Sequence, residues 1–324
     1  MKKPLIALAP MAGITDASFR KIIKEQGGAD LLFSEMISAA SLFFQSSKKN
    51  KSWQLMSSFS YQVPFFVQLF GNQPEHFALT AQMIENLKPP QNRDFNKPQL
   101  LRPAGIDINL GCPAKKIIKQ NSGCALMCQP QLVRKIILAI LKNTHLPVSL
   151  KIRAGIQKVS ALDFLKEIGD LNWQILSVHG RTFEQGFTGE INLALIKKIK
   201  KMFPKKIVLA NGGIDSPEKA QMVLKKTTAD GVMIGRAVLG RPWFLNQIKS
   251  YLTTGKYSQP NKNQIKKTIL AHAQLFFTSP QNNPIEFRKH LLWYFKGRTN
   301  AKQFRTAIIK IKTLADVKKI LSNF

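Results

Sequence analysis

The residues Asp107-Ile108-Asn109-Leu110-Gly111-Cys112-Pro113 close an apolar run with Gly-Cys-Pro, a pattern that predicts a buried strand presenting one thiol at its carboxyl end. Three readings compete for that thiol. A thiolate nucleophile needs an activating base, and no Cys-His pairing follows from the sequence. A general acid needs a proton to give, and a free thiol, with an ordinary pKa of about 8.5, keeps one at neutral pH. A buried structural cysteine is the third reading, and spacing alone leaves it open.

Other apolar runs deliver polar groups in the same manner: Gln68 after Val67, Lys151 and Arg153 after Leu150, His179 and Arg181 around Gly180, Asn211 before Gly212 and Gly213, and Arg236 after Gly235. Asn211-Gly212-Gly213 and Gly235-Arg236 suit a phosphate, because backbone N–H groups and a guanidinium approach an anion closely only where side chains stay out of the way. Pro10-Met11-Ala12-Gly13 offers a close-packed backbone wall for the edge of a flat ring. Gln68 and Lys151 suit its polar edge, and His179 suits its phosphate-bearing arm. A lysine in an apolar strand is costly to bury without an anion. A flavin, whose ring gains negative charge on reduction, meets that requirement. Cys124 and Cys128 stand four apart with no second pair, so no metal is expected.

These groups need elements to position them. Strand-like runs at Leu5–Ala9, Leu31–Met36, Pro64–Phe70, Ile106–Leu110, Val148–Ile152, Ile175–Val178, Ile207–Ala210 and Gly231–Ile234 each lead into a helical stretch. The helical stretches run Thr15–Gln26, from about Ser38, Pro74–Leu87, Gln129–Lys142, Ala161–Ile168, Asn192–Met202, Ser216–Lys226 and Arg241–Leu252. Eight such units within residues 1–252 predict an α/β fold, a (β/α)8 TIM barrel whose polar strand ends share one face. Lys88–Pro103 reads as a surface loop on the opposite face. Thr253–Asn263 reads as a linker. From Gln264 onward apolar residues recur at helical spacing only, which predicts a C-terminal all-helical domain over residues 260–324.

Composition narrows the class of partner. Of 324 residues 44% are hydrophobic, and 49 Lys and Arg face 18 Asp and Glu for a formal charge of +31. Such an excess points to a polyanion, a nucleic acid or an anionic membrane surface, with lysine-rich coding bias as the bland alternative. Residues 260–324 carry 13 basic against two acidic side chains, a net +11, whereas the other 259 carry +20. This concentration favours a binding surface over uniform bias. Three scattered cysteines suit a reducing compartment. The apolar part of Met1–Ala9 is too short for a secretory core, and no run of about 18 apolar residues occurs, so no membrane partner is expected.

Taken together, Ala9-Pro-Met-Ala-Gly-Ile-Thr-Asp16 with Phe19-Arg20, Val67-Gln-Leu-Phe-Gly71, Asn109-Leu-Gly-Cys-Pro-Ala-Lys-Lys116, Lys151-Ile-Arg153, His179-Gly-Arg-Thr182, Asn211-Gly212 and Gly235-Arg236 to Gly240-Arg-Pro-Trp243 resemble the tRNA-dihydrouridine synthases. Arg288-Lys-His290 and Trp293-Tyr294 resemble the bacterial B-type branch. The resemblance runs through almost the whole chain in order. It implies FMN in the barrel, NADPH as electron donor, and reduction of the C5–C6 double bond of a D-loop uridine in tRNA by a cytoplasmic, monomeric enzyme. FMN contacts carry over to Pro10, Met11, Ala12, Gln68, Lys151, His179, Asn211, Gly212, Gly213, Gly235 and Arg236. Cys112 becomes the proton donor to C5 while flavin N5 gives hydride to C6. Asn109, Arg153 and Arg181 are the candidates for substrate contact. Two positions depart from the family pattern: Gly213 stands where Asp is usual, and Phe187 where Tyr is usual. Two rivals remain: an FMN barrel for a small substrate, similar to the dihydroorotate dehydrogenases, and a tRNA-binding protein with a vestigial flavin site.

Overall fold

The computed structural model describes residues 3–44, 51–59, 63–88, 97–279, 282–298 and 301–324. Eight parallel strands form one sheet: β1 (Leu5–Leu8), β2 (Leu32–Ser38), β3 (Phe65–Phe70), β4 (Gly105–Leu110), β5 (Val148–Arg153), β6 (Ile175–His179), β7 (Ile207–Asn211) and β8 (Gly231–Ile234). Each strand pairs with its sequence neighbours, and β8 pairs with β1 in the register Leu8↔Ile234. Between β1 and β2 the ring closes through a single bridge, Ala7↔Leu31, with the Leu8 N–H donating to the Leu31 carbonyl at 3.0 Å. The chain is therefore a (β/α)8 barrel, as its alternation of runs predicts. The strands are buried on both faces, which is why they read as continuous apolar runs.

The outer helices begin where capping chemistry allows. Helix α1 (Ala17–Gln26) is capped by Asp16, whose Oδ1 accepts from Phe19 N at 2.8 Å. Strand β2 runs two residues beyond the expected Met36. The single helix expected from Ser38 is two short ones, α2 (Ala39–Phe44) and α3 (Lys51–Met56). Helix α4 (Pro74–Glu85) has Pro74 in its first turn. The loop expected at Lys88–Pro103 falls mostly outside the described residues, and its described end bonds Arg102 to Glu85 at 2.6 Å. After β4 come α5 (Lys115–Lys119), a 3-10 turn (Gly123–Cys128) and α6 (Pro130–Asn143). A two-residue hairpin pairs Gly155–Ile156 with Val159–Ser160 after β5. The ring is completed by α7 (Ala161–Ile168), α8 (Leu193–Met202), α9 (Pro217–Thr227) and α10 (Phe244–Thr254). Four helices follow: α11 (Lys262–Phe277), α12 (Pro284–Phe295), α13 (Ala301–Ile308) and α14 (Leu314–Ser322).

Inside the barrel, Ala7, Phe33, Phe66, Leu209 and Met233 form an apolar plug. Next along the strands come Gln68, Asn109, Lys151, His179 and Asn211, so the filling changes from apolar to polar toward the carboxyl ends. The C-terminal helices have their own core, including Ile269, Phe276, Phe287, Leu291 and Phe304. Trp243, which precedes α10, belongs to that core. At the seam Gly240 adopts φ +70, and a Cβ there would lie 2.3 Å from the Trp293 carbonyl oxygen, so only glycine lets the two backbones meet. Among the described residues no helix is long and apolar enough to cross a membrane.

Candidate active site

At the carboxyl ends of the strands a cavity of about 950 Å³ opens. Pro10, Met11, Ala12, Gln68, Asn109, Cys112, Lys151, Arg153, His179, Arg181, Asn211, Gly212, Gly213, Gly235 and Arg236 all line it. Residues separated by as much as 226 positions in the chain thus reach one space.

One side of the cavity is a chain of amides ending at the thiol. Asp107 Oδ2 accepts from Gln68 Nε2 at 2.6 Å, and Gln68 Oε1 accepts from Asn109 Nδ2 at 2.8 Å. These bonds fix the Gln68 amide, leaving its second N–H and one Oε1 lone pair for a ligand. Asn109 Oδ1 accepts from the backbone N–H groups of Gly111 and Cys112, at 3.1 and 2.9 Å. The Cys112 carbonyl in turn accepts from Cys124 N at 3.1 Å. The backbone of Cys112 is therefore held on both sides while its side chain stays half-buried at the cavity wall. Cys124 is buried, and its thiol is pushed up to about 12 by that burial, which makes it an inert packing group.

Asp107 lies in the stretch that marks the thiol, and no local pattern assigns it a task. It is fully buried, and burial pushes its carboxyl up to about 6 against the hydrogen bonds from Ser149 and Gln68. Asp107→Asn can serve Gln68 or Ser149 as acceptor, not both on equal terms. Loss of one charge-assisted bond, worth about 1.5–3 kcal/mol, predicts that affinity for the flavin expected from the sequence is at least tenfold weaker by fluorescence titration at pH 8. The deficit shrinks as pH falls below about 6, because the wild-type carboxyl then carries a proton as well.

Beside this wall, beginning with Lys151, the strand partner of Asn109, is a group of cations. Burial pulls the Lys151 ammonium down to about 8 despite the charge of Asp107, and it has no hydrogen-bond partner among the described residues. Burial together with Lys151, Arg153, Arg181 and Arg236 holds His179 well below the usual imidazole range, so the ring is neutral and donates one N–H. Arg153 is 2% exposed and already gives hydrogen bonds to the carbonyls of Gly111, Thr182 and Gly186 at 2.7–2.9 Å. It ties the loop after β6 to the Gly-Cys-Pro turn. Arg181 gives Nε to the Gly189 carbonyl at 2.8 Å, and its Nη1 is buried with no partner among the described residues. A Cβ at Gly213 would lie 3.7 Å from Arg181 Nη2. A side chain at that position would therefore face this guanidinium. Phe187 is half exposed between the guanidiniums of Arg153 (5.4 Å) and Arg236 (4.6 Å).

Side chains from distant elements complete the mouth. Glu35 of β2 accepts a hydrogen bond from the Gly13 N–H, fixing the Pro10–Gly13 turn, and burial raises its pKa. From α12, Trp293 and Lys296 line the cavity. His290 Nε2 lies 3.2 Å from Asp16 Oδ2 and stacks near Phe19. None of these pairings has a local signal, because each joins residues separated by more than twenty positions.

The site fits a flat anionic ring bearing a phosphate. Gly212 adopts φ +108, and a Cβ there would meet His179 Cδ2 at 2.7 Å, so the turn after β7 needs bare backbone. Gly235, just after β8, lines the same cavity, and Arg236 supplies donors. The Lys151 ammonium supplies the charge that the polar edge of a reduced flavin requires. Among the described residues no three His, Cys, Asp or Glu side chains gather as a metal site.

Comparison with known proteins gives one answer. The family model "Dihydrouridine synthase (Dus)" matches residues 7–324. A protein of Xanthomonas axonopodis pv. citri (strain 306) named tRNA-dihydrouridine synthase B is 37% identical over 316 residues, 96% of this chain and 89% of its own. One of the same name from Vibrio vulnificus (strain CMCP6) is 36% identical over 94% of this chain and 90% of its own. A probable tRNA-dihydrouridine synthase of Rickettsia bellii (strain RML369-C) is 35% identical over 94% of this chain and 89% of its own.

Proposed function

The chain belongs to the dihydrouridine synthase family, whose reaction is the reduction of uridine in tRNA, and we propose that it does so at a D-loop uridine with FMN in the barrel and NADPH as donor. The observation that carries the reading is the single cavity in which Cys112 faces the glycine-lined, arginine-flanked ends of β7 and β8. FMN bound there supplies the electron pair that reaches C6 of the uracil. Pro10, Met11 and Ala12 would border the ring, Gln68 and Lys151 would meet its polar edge, and His179 with Asn211, Gly212, Gly213, Gly235 and Arg236 would hold its phosphate arm. Lys151 would balance charge on the reduced ring, adding an anion to the one that Asp107 already supplies. Cys112 Sγ holds the proton delivered to C5, and Asn109, through its bonds to Gly111 and Cys112, sets where that sulfur points. Arg181, with one free nitrogen, and Asn109 serve the uracil edge. Arg153 shapes the mouth through the loop it ties down.

The same reading gives the barrel, residues 1–252, the chemistry, and residues 260–324 the grip on tRNA, in a monomeric cytoplasmic enzyme. A uridine inside folded RNA must swing out of its stack to reach this depth, and the basic helical segment supports the phosphates meanwhile. Reduced anaerobically and mixed with unmodified tRNA, the protein is expected to reoxidise its flavin with stoichiometric dihydrouridine formation. A flavin that stays reduced with intact tRNA and reoxidises with a small acceptor would favour the metabolic dehydrogenase instead. Binding should also weaken steeply between 50 and 200 mM salt, by about 10³-fold or more for six or more phosphate contacts.

A further inference from the structure

Beside the site lies a second cavity of about 610 Å³, and the two share Arg236, Trp293 and Lys296 on their common rim. Its walls come from both parts of the chain: Arg236 and Arg241 follow β8, while Lys296 and Arg298 follow α12. Among the described residues no acidic side chain lines it. Like charges gathered without a counter-ion repel one another, so the cavity favours an anion. Arg298 gives Nε to the Tyr294 carbonyl at 2.7 Å, and Arg241 gives Nε to the Ala237 carbonyl at 3.1 Å. Arg298 is thus anchored through one nitrogen and Arg241 through two, its Nη2 giving a second bond to the Asp215 carbonyl at 3.4 Å, which still leaves terminal N–H groups on both for a ligand. A second, independent observation concerns Trp243. It lines the same cavity at 7% exposure, and its indole N–H is buried with no acceptor among the described residues. A buried N–H without a partner is uncommon and signals an acceptor supplied from outside.

We infer that this cavity is the subsite for the phosphodiester flanking the target uridine. The inference rests on the uridine-reducing reading of the neighbouring site. A base inserted into the first cavity draws its own backbone to the rim, and Arg236, Lys296 and Trp293 lie on that rim. The flanking phosphate then meets cations from the barrel on one side and from the helical segment on the other. An RNA backbone suits this better than a free dinucleotide, because the cationic walls continue into the segment that carries the net +11. Held there, the phosphate registers the strand so that one nucleotide, and not its neighbour, enters the deeper cavity.

The test uses the full chain with bound flavin. Lys296→Gln and Arg298→Gln are each expected to raise the Kd for unmodified tRNA about tenfold. Each should also lower the slope of log K against log salt by nearly one. In Arg298→Gln, whose side chain lines the second cavity and not the first, flavin content and anaerobic flavin reduction by NADPH should stay as in the wild type. Trp243→Phe removes the orphan N–H together with part of a ring that packs in the helical core; it should weaken tRNA binding severalfold and lower Tm modestly. Unchanged tRNA affinity and salt slope in all three variants would overturn the subsite. So would a loss confined to the KM for NADPH, which would assign the cavity to the reductant. A wild-type chain that binds tRNA with this Lys296 and Arg298 dependence, yet reduces no uridine, would sink the catalytic reading and leave the subsite standing.

Discussion

On the proposed mechanism Cys112→Ala is expected to keep its flavin and its oxidation of NADPH, while reduction of tRNA falls by about 10²–10⁴-fold, the range that a positioned general acid contributes. The protein around Cys112 is indifferent to the side chain itself. The backbone is held by Asn109 Oδ1 on the N–H and by Cys124 N on the carbonyl, and neither bond touches Sγ. Removing the thiol therefore leaves the turn, the amide chain and the ring-binding wall in place. What is lost is the proton for C5. Cys112→Ser should recover little, because an alcohol is a far weaker acid than a thiol, although it restores the shape. Stopped-flow reoxidation of the reduced flavin by tRNA measures the step directly, with NADPH-driven reduction as the internal control. Wild-type reoxidation in Cys112→Ala would remove the thiol from the chemistry and return it to a packing role.

Lys151→Met should stabilise the flavin-free protein and cripple the holoprotein. In the wild type, burial lowers the ammonium from 10.5 to about 8. Below pH 8 both folded and unfolded chains carry this proton, and the folded state bears the full cost of a buried charge. Between about pH 8 and 10.5 the folded chain gives it up first, so the unfolded state binds more protons and stability rises with pH. The whole effect is at most on the order of 3 kcal/mol, and less where water enters the open mouth. Methionine abolishes that rise and makes the flavin-free chain more stable at pH 7. Flavin bound as proposed is expected to reverse the comparison, since its anionic edge would give the lysine a hydrogen-bond partner. Losing one charged hydrogen bond of about 1.5–3 kcal/mol weakens flavin binding about 10–100-fold. Thermal melts with and without FMN at pH 7 and 9.5 read both halves; a variant less stable than wild type in both states would refute the argument.

The barrel was legible because its strands are buried on both faces. Their apolar runs need no periodicity to be seen, and a polar residue at the end of each marks the face they share. Gln68, Lys151 and His179 could be read as a group on that ground alone. Asp107 could not, since a lone acid within an apolar run acquires meaning only when barrel register sets it against Gln68 and Ser149, 39 and 42 residues away. The short helix and 3-10 turn between Cys112 and Pro130 were missed for a different reason: pieces of five and six residues show no helical repeat. Trp293 and Lys296 reach the mouth from a helix that periodicity located correctly, but the way that helix docks depends on Gly240 and on the Asp16–His290 contact, neither of which leaves a local pattern.

That docking also decides how the protein can be recombined. The stretch after Thr254, ending at Asn261 before α11, looks like the natural place to join one relative's barrel to another's helices. A splice there would separate Trp243 from the core it helps to fill, Gly240 from the carbonyl it abuts, and Phe19 with Asp16 from the histidines packed against them. The heritable unit runs differently: residues 240–324 travel together, and the Asp16–Phe19 corner must come from the same parent. Chimeras cut before Gly240 that keep a matched corner should fold, whereas those joined in the linker inherit a mismatched seam however similar their sequences are.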